Sequence, residues 1–307
     1  MPTSTALRPP AKVGVGVSYL PSRPDLTEAL LSIVDYVELS PEVFVTEEFG
    51  TEEFGTATEP GRARLDQGAA RRALDLVGSR PVVLHGLELS IGSAHGWNEH
   101  ALDALDAFLA LRDVPWHSEH LNFLSTVAAD GTIIPLGLPL PLPFTAECAE
   151  LVGARANAVI NRYGRPFLLE NSANYLPDLP ADPGWDEATF LTALTERSDC
   201  WLLLDLFNLW TNCVNHRLDP IDLLNRMPLH RVVEVHLAGG EERDGLLLDS
   251  HSAEVPGPVW ELLRRVLDRA PALAGITVEV LDLYAEGLGA QGIRAQVERA
   301  REFWEAR

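Results

Sequence analysis

The sequence predicts a closed (β/α)₈ barrel, and three observations carry that prediction. Eight short apolar runs alternate with longer amphipathic segments, the pattern of repeated strand–helix units. The 307 residues, 46% hydrophobic and 22% charged, are enough for one large core. Six consecutive runs end in an imidazole, a carboxylate or both, on the side where a parallel barrel gathers its chemistry. A doubly wound open sheet is the alternative architecture.

Residues 1–12 read as a disordered lead, with neither the apolar core of a signal peptide nor an Arg-rich amphipathic pattern, which suits a cytoplasmic protein. The barrel then occupies residues 13–307. Strand one is Val13 to Val17, followed by a helix over Asp25 to Ser32. Gly14-Val15-Gly16 lacks the third glycine and the following helix start of a dinucleotide fingerprint. Strand two, Tyr36 to Leu39, enters an acidic loop over 41–61 in which TEEFG occurs twice. That loop reads as a low-complexity insertion, with a lid as the alternative.

A helix over Arg62 to Val77 leads to strand three, Pro81 to Leu84, and then His85. The helix Glu99 to Leu111 puts Ala101, Leu102, Leu105, Phe108 and Leu109 on one face. Strand four, Val114 to His117, is followed by Glu119 and His120, then by a Pro- and Leu-rich loop over 127–144 that is apolar enough to cover the barrel mouth or meet a partner. A helix over Thr145 to Arg162 precedes strand five, Pro166 to Leu169, which ends in Glu170-Asn171.

After a helix over Asp186 to Glu196, strand six, Trp201 to Leu204, stops at Asp205, with Asn208 and His216 on the loop beyond. The helix Pro220 to Asn225 precedes strand seven, Val232 to Val235, and His236. The turn after it carries Asp249 and His251. The helix Pro258 to Arg269, strand eight over Ile276 to Val278 with Glu279, and a last helix over Gln291 to Ala306 complete the chain.

A single His or Glu at a strand end more often caps a helix or forms an ion pair than binds a metal. Asp205 alone reads equally well as the cap of a following helix. Six such ends converging on one mouth are different, because carboxylates crowded in a low-dielectric site repel one another unless cations intervene. Several imidazoles with several carboxylates and no thiolate pair suit iron, manganese or zinc better than magnesium or calcium. The donors exceed what one octahedral ion can use, so two or three metals with bridging carboxylates are expected. His120 and His216 are read as proton relays or further ligands, or as ordinary structural histidines. Asn171, Asn174 and Asn208 are turn residues or supports for the ligands.

The net charge of −21, from 45 acidic against 24 basic residues, leaves no basic stripe for a phosphate backbone, so nucleic acid is not an expected partner. No apolar run reaches the roughly 18 residues of a membrane span. Cys148, Cys200 and Cys213 have no CxxC spacing and read as buried thiols, with a role beside the site as the alternative for Cys213.

Seven segments, in order, make the sequence resemble the DUF692 family, the multinuclear iron-dependent oxidative enzymes. They are VVLHGLELSIGS (Val82 to Ser93), HSEHLNF (His117 to Phe123), FLLENSANYL (Phe167 to Leu176), LLLDLFNLWTNCVNH (Leu202 to His216), VVEVHLAGG (Val232 to Gly240), LLLDSHSAEVPGPVWELL (Leu246 to Leu263) and ITVEVLD (Ile276 to Asp282). The resemblance implies a TIM-type barrel holding two or three irons of mixed valence that uses dioxygen to oxidise a ribosomally made peptide, often at cysteine. It implies a precursor peptide as substrate and, commonly, a separate protein that recognises the leader. Matching the motifs residue by residue implies His85, Glu119, Glu170, Asp205, His236, Asp249, His251 and Glu279 as metal ligands.

The chain departs from the family pattern in three places. Ser40 stands where the strand-two motif E-x-H-x-E-N has its His, GVGVSYLPSRP lacks a nearby His, and Ala238-Gly239-Gly240 replaces AGH. These losses weaken one metal site, change the number of metals or mark a divergent subgroup, with Glu38 and Glu42 as partial substitutes. Two other readings stand beside the oxidase. One is a redox-neutral zinc or manganese enzyme similar to xylose-isomerase-like isomerases and phosphodiesterases. The other is a degenerate, non-catalytic peptide-binding barrel.

Overall fold

The computed structural model describes residues 8–47 and 63–307. Eight parallel strands close into a barrel: β1 (Gly14–Ser18), β2 (Tyr36–Leu39), β3 (Val82–Gly86), β4 (His117–His120), β5 (Phe167–Glu170), β6 (Trp201–Asp205), β7 (Val232–Leu237) and β8 (Gly275–Val278). Each pairs with its neighbours in sequence, and β8 pairs with β1. Helices α1 (Pro24–Leu30), α2 (Gln67–Val77), α3 (Glu99–Leu109), α4 (Ala146–Tyr163), α5 (Glu187–Arg197), α6 (Leu206–His216), α7 (Pro220–Arg226), α8 (Gly257–Leu267) and α9 (Ala285–Glu305) follow in order. The strands therefore run the same way, and their C-terminal ends share one mouth.

The alternation of side chains along each strand divides the core in two. The larger cluster lies between strands and helices. A second cluster, with Tyr36, Val83, Trp116, Leu168 and Leu203, fills the barrel floor. Above it Glu234 is fully buried and fully satisfied. It accepts from Tyr36 Oη at 3.0 Å, Trp116 Nε1 at 2.6 Å and Thr277 Oγ1 at 2.7 Å. A carboxylate with three donors tolerates burial.

Four expectations need correction. β4 begins at His117 and includes Glu119 and His120, whereas the sequence placed it over Val114 to His117. Pro115 has no N–H to give a ladder, so regular pairing starts beyond it, with His117 opposite Leu84 and His120 opposite Glu170. The segment carrying His216 is helix α6 rather than a loop. Asp205 caps it by accepting the Asn208 N–H at 2.6 Å, and its amide side chains bond to neighbouring segments instead of forming turns.

The helix expected from Arg62 starts only at Gln67. Asp66 accepts from Ala69 N at 2.9 Å as its cap, and the residues before it form a short strand, Ala63–Leu65, paired with Val45–Glu47. The loop over 127–144 is largely a hairpin, Asn122–Val127 with Ile133–Pro141, in which Ile133 and Leu138 are exposed. Most of the TEEFG repeat lies outside the described residues. No helix among the described residues is long and apolar enough to cross a membrane.

Gly14 opens β1 at φ +126°, and a Cβ there would stand 2.1 Å from Asp35 Oδ2, the atom that accepts the Val15 N–H and meets Arg301. Gly14→Ala is expected to destabilise the protein by roughly 2–3 kcal/mol from combined strain and clash. A lower urea midpoint at unchanged slope checks this; an unchanged midpoint refutes it.

Candidate metal centre

At the mouth, Glu170 at the end of β5 is the shared carboxylate. Its Oε2 lies 3.1 Å from His85 Nε2 and 3.2 Å from His120 Nε2, while Oε1 lies 4.0 Å from His236 Nδ1. The rings of His85 and His120 are 4.5 Å apart, centre to centre. On the far side Glu279 Oε2 is 2.8 Å from His236 Nδ1 and 3.4 Å from His251 Nδ1, and His251 Nε2 is 2.7 Å from Asp249 Oδ1. Ligand atoms group within 4.8 Å of one another in overlapping sets at the mouth: His85 with His120 and Glu170; His85 with His236 and Glu279; and Glu170 with Asp205, His236 and Glu279.

The register explains this convergence. His85 is opposite Ser118, and His120 is opposite Glu170. Asp205 is opposite His236, and His236 is opposite Thr277, two residues before Glu279. The second nitrogens of three imidazoles are occupied. His85 Nδ1 meets Ser118 Oγ at 2.9 Å, His120 Nδ1 meets the Gly86 carbonyl at 3.2 Å, and His236 Nε2 meets Glu38 Oε2 at 3.0 Å. Such partners fix ring orientation and leave the other nitrogen facing the mouth.

Charge in this site is only partly balanced. Burial, opposed by His120 and His236, raises the Glu170 pKa. Burial together with the carboxylates of Asp249 and Glu170 pushes Asp205 well above the carboxylate range. Burial holds His85 and His120 below the usual histidine range, so both offer neutral imidazoles. Burial opposes protonation of His236 and His251. Glu38 and Glu279 around His236, and Asp249 and Glu279 around His251, nevertheless hold both well above that range. Against its own burial, the same two imidazoles bring Glu279 well below the carboxylate range.

His85 Nε2, Glu170 Oε2, Asp205 Oδ2, Asp249 Oδ1 and both His251 nitrogens are buried without a hydrogen-bond partner. Several are close to one another, as in His251–Asp249, yet lack the alignment of a hydrogen bond. Buried polar atoms are rarely left so, and imidazole with carboxylate suits first-row transition metals. The residues present therefore fit a metal cluster.

Seven of the eight residues expected as ligands meet here; Glu119 does not. It lies on the opposite face of β4, where Oε1 accepts the Leu89 N–H and Oε2 the His120 N–H, both at 2.8 Å. There it shares an enclosed cavity with Glu42 behind the barrel wall. Side chains alternate along a strand, so if His120 faces in, Glu119 faces out. His216 is also away from the mouth, with Nε2 2.8 Å from the Asn174 carbonyl oxygen. Ser40 is half-buried at the start of a 3₁₀ turn, and Glu38, not Glu42, projects into the barrel. Cys213 is buried in α6, its thiol pushed up to about 12 by burial. At Gly240 a Cβ would meet the Leu248 carbonyl oxygen at 2.0 Å, so no side chain fits.

Sequence reading missed Glu234 and Tyr175, whose hydroxyl accepts the Asp249 N–H at 2.8 Å. The strand alternation pointed to Glu234; nothing local marked Tyr175.

The sequence pattern of the RiPP precursor modification enzymes MbnB/TglH/ChrH matches residues 14–285. The chain belongs to this family. A UPF0276 protein of Nitrosospira multiformis is 32% identical over 277 residues, covering 89% of this chain and 86% of that one. One from Shewanella sediminis is 32% identical over 263 residues, covering 83% and 82%. This MbnB/TglH/ChrH family member also shares its fold with the IOLI protein solved with a bound zinc atom, at TM-score 0.57 and 10% identity over 95% of this chain and 98% of that one. A xylose isomerase domain protein of Alicyclobacillus acidocaldarius gives TM-score 0.50 at 16% identity, covering 96% and 98%. At such identities these two establish the barrel alone.

The sign of the pH dependence follows from the shifts. His236 and His251, raised, add stability that is complete below about pH 6.5 and lost as pH climbs through their native values. Raised Glu170 and Asp205 act the same way, because the folded state holds protons that the unfolded chain releases. The lowered His85 and His120 add no slope above that pH. Chelator-treated protein should therefore lose stability as pH rises above about 6.5. Asp205→Asn should raise its unfolding free energy by roughly 1–2 kcal/mol. Urea titrations across that range check both, and a flat or rising profile would count against them.

Proposed function

We propose that this protein is an iron-dependent, dioxygen-using oxidase of a ribosomally made precursor peptide, acting at cysteine or another side chain able to bind a metal. The observation that carries the reading is the run of overlapping ligand groups joined through Glu170 and Glu279, with buried ligand atoms lacking hydrogen-bond partners. Membership of a family described as RiPP precursor modification enzymes supports the peptide as substrate. Two or three irons of mixed valence would supply electron transfer, with dioxygen as co-substrate, and would lower the pKa of a bound thiol or carboxylate.

The chain's own residues supply the rest. His85, His120 and Glu170 form one subsite; Glu170, Asp205, His236 and Glu279 a second; Asp249, His251 and Glu279 a third. His120 thus contributes an imidazole on the side where Ser40 contributes none. Ser118, Gly86 and Glu38 orient three of the imidazoles, and Asn208 ties the Asp205 carboxylate to the start of α6. His120, about a quarter exposed, is also the imidazole best placed to exchange a proton with solvent. A separate protein delivering the leader, and a cytoplasmic location, accompany this reading.

Protein purified without oxygen should contain two or three irons per chain and consume dioxygen only with its peptide, measured by metal analysis, Mössbauer spectroscopy and an oxygen electrode. A colourless zinc or manganese protein with no oxygen uptake would favour the redox-neutral isomerase or hydrolase. Metal loss without any loss of biological activity would favour a non-catalytic peptide-binding barrel. His120→Ala should weaken metal retention about ten- to a hundredfold, whereas Glu119→Gln should keep the full metal content. Equal metal loss in both variants would refute the assignment of His120 over Glu119.

A further inference from the structure

Behind the β5–α5 loop, a cleft of about 220 Å³ opens between that loop, α5, α6 and α7. Leu176, Leu179, Trp185 and Leu223 form apolar walls, and no Lys or Arg lines it. Glu187, the first residue of α5, also lines it and is 7% exposed. Its Oε2 accepts Asn212 Nδ2 at 3.2 Å; Oε1 is buried without an aligned hydrogen bond, and the Asn171 amide is close enough to favour the charged form. The neighbouring Asp186 is already engaged by Arg226. Left so, burial pushes the Glu187 carboxyl up to about 7.

His216 borders the same cleft. Its Nε2 lies 2.8 Å from the Asn174 carbonyl oxygen. The cleft thus offers a carboxylate at the end of a hydrophobic sleeve.

We propose that this cleft binds the side chain of a lysine or arginine of the peptide, its methylene stem against the apolar walls and its cation on Glu187. The identity of the ligand as a peptide rests on the function proposed above; the chemistry of the cleft does not. The loop that forms the cleft also reaches the metal centre, because Tyr175 Oη accepts the Asp249 N–H. Along α6, from Asp205 at its cap to Asn212 beside Glu187, the distance is about 10 Å. Extended peptide covers that in about three residues.

The test uses the full chain, with and without metal, and follows the Trp185 indole resonance by NMR during titration with Nα-acetyl-lysine amide or its uncharged counterpart Nα-acetyl-norleucine amide. The lysine probe should shift the resonance saturably and the norleucine probe should not. Glu187→Gln should weaken binding about tenfold or more, as expected for loss of a charge-assisted bond. Leu176→Lys, at a position 40% exposed and tolerant of a polar residue, should abolish it by placing a tethered ammonium in the cleft. No shift in the unaltered protein, equal shifts from both probes, or full binding by Glu187→Gln overturns the proposal. Lysine binding by a protein that neither holds iron nor uses dioxygen would keep the cleft assignment while refuting the oxidase.

Discussion

The mouth of the barrel holds more buried ionisable atoms than its own hydrogen bonds satisfy, and much of the surrounding architecture answers to that imbalance. Asp205 has one oxygen committed to the start of α6 and the other uncommitted. Glu170 faces two imidazoles at about 3 Å without an aligned bond to either. Such groups are costly in a low-dielectric interior unless cations or protons are shared among them. The barrel absorbs the cost through rigidity. The strands fix the positions of the side chains, and the layer below, from Glu38 through His236 to the fully bonded Glu234, keeps the floor from collapsing toward the charge.

That floor shows how the same residue type is treated in opposite ways within one barrel. Glu234 receives Tyr36, Trp116 and Thr277, which occupy both its oxygens, although it lies close to Glu38 and His236. Glu170, in the layer above, has been denied comparable donors. Satisfaction below and deficiency above localise reactivity at the strand ends, where a substrate can arrive.

The barrel was legible in the sequence because eight apolar runs in a row, each followed by a helical period, leave few other folds. His85, Glu170, Asp205, His236 and Glu279 were legible because they stand at strand ends, and Asp249 and His251 because the Asp-x-His turn after strand seven can bend back to the mouth. The failures share a physical cause. Strand four was placed three residues early, on the apolar Val114 and Trp116, although Pro115 cannot join a ladder; the strand as folded turns His120 toward the mouth and Glu119, matched as a ligand by motif, to the outer face. Helix α6 was missed because its asparagines resemble a turn. Asn208, Asn212 and Asn215 are spent on tertiary bonds to the β5 end, the β5–α5 loop and the hairpin after β7 (Glu241–Arg243 with Leu246–Leu248), which no local pattern reveals. Tyr175 and Glu187 matter through partners distant in sequence, and so left no signal of their own.

Gly240 bears on how this chain relates to members that carry histidine at that place. A Cβ there would run into the carbonyl of Leu248 in the returning strand of the hairpin and into the Phe207 ring, and one at Gly239 into the carbonyls of Ala253 and Glu254. Backbone, not a flexible side chain, fills the space an imidazole would need. The missing histidine and the closely folded hairpin are thus two descriptions of one choice. An imidazole placed at this position alone has nowhere to go unless the hairpin, with Asp249 and His251 just beyond it, moves as well.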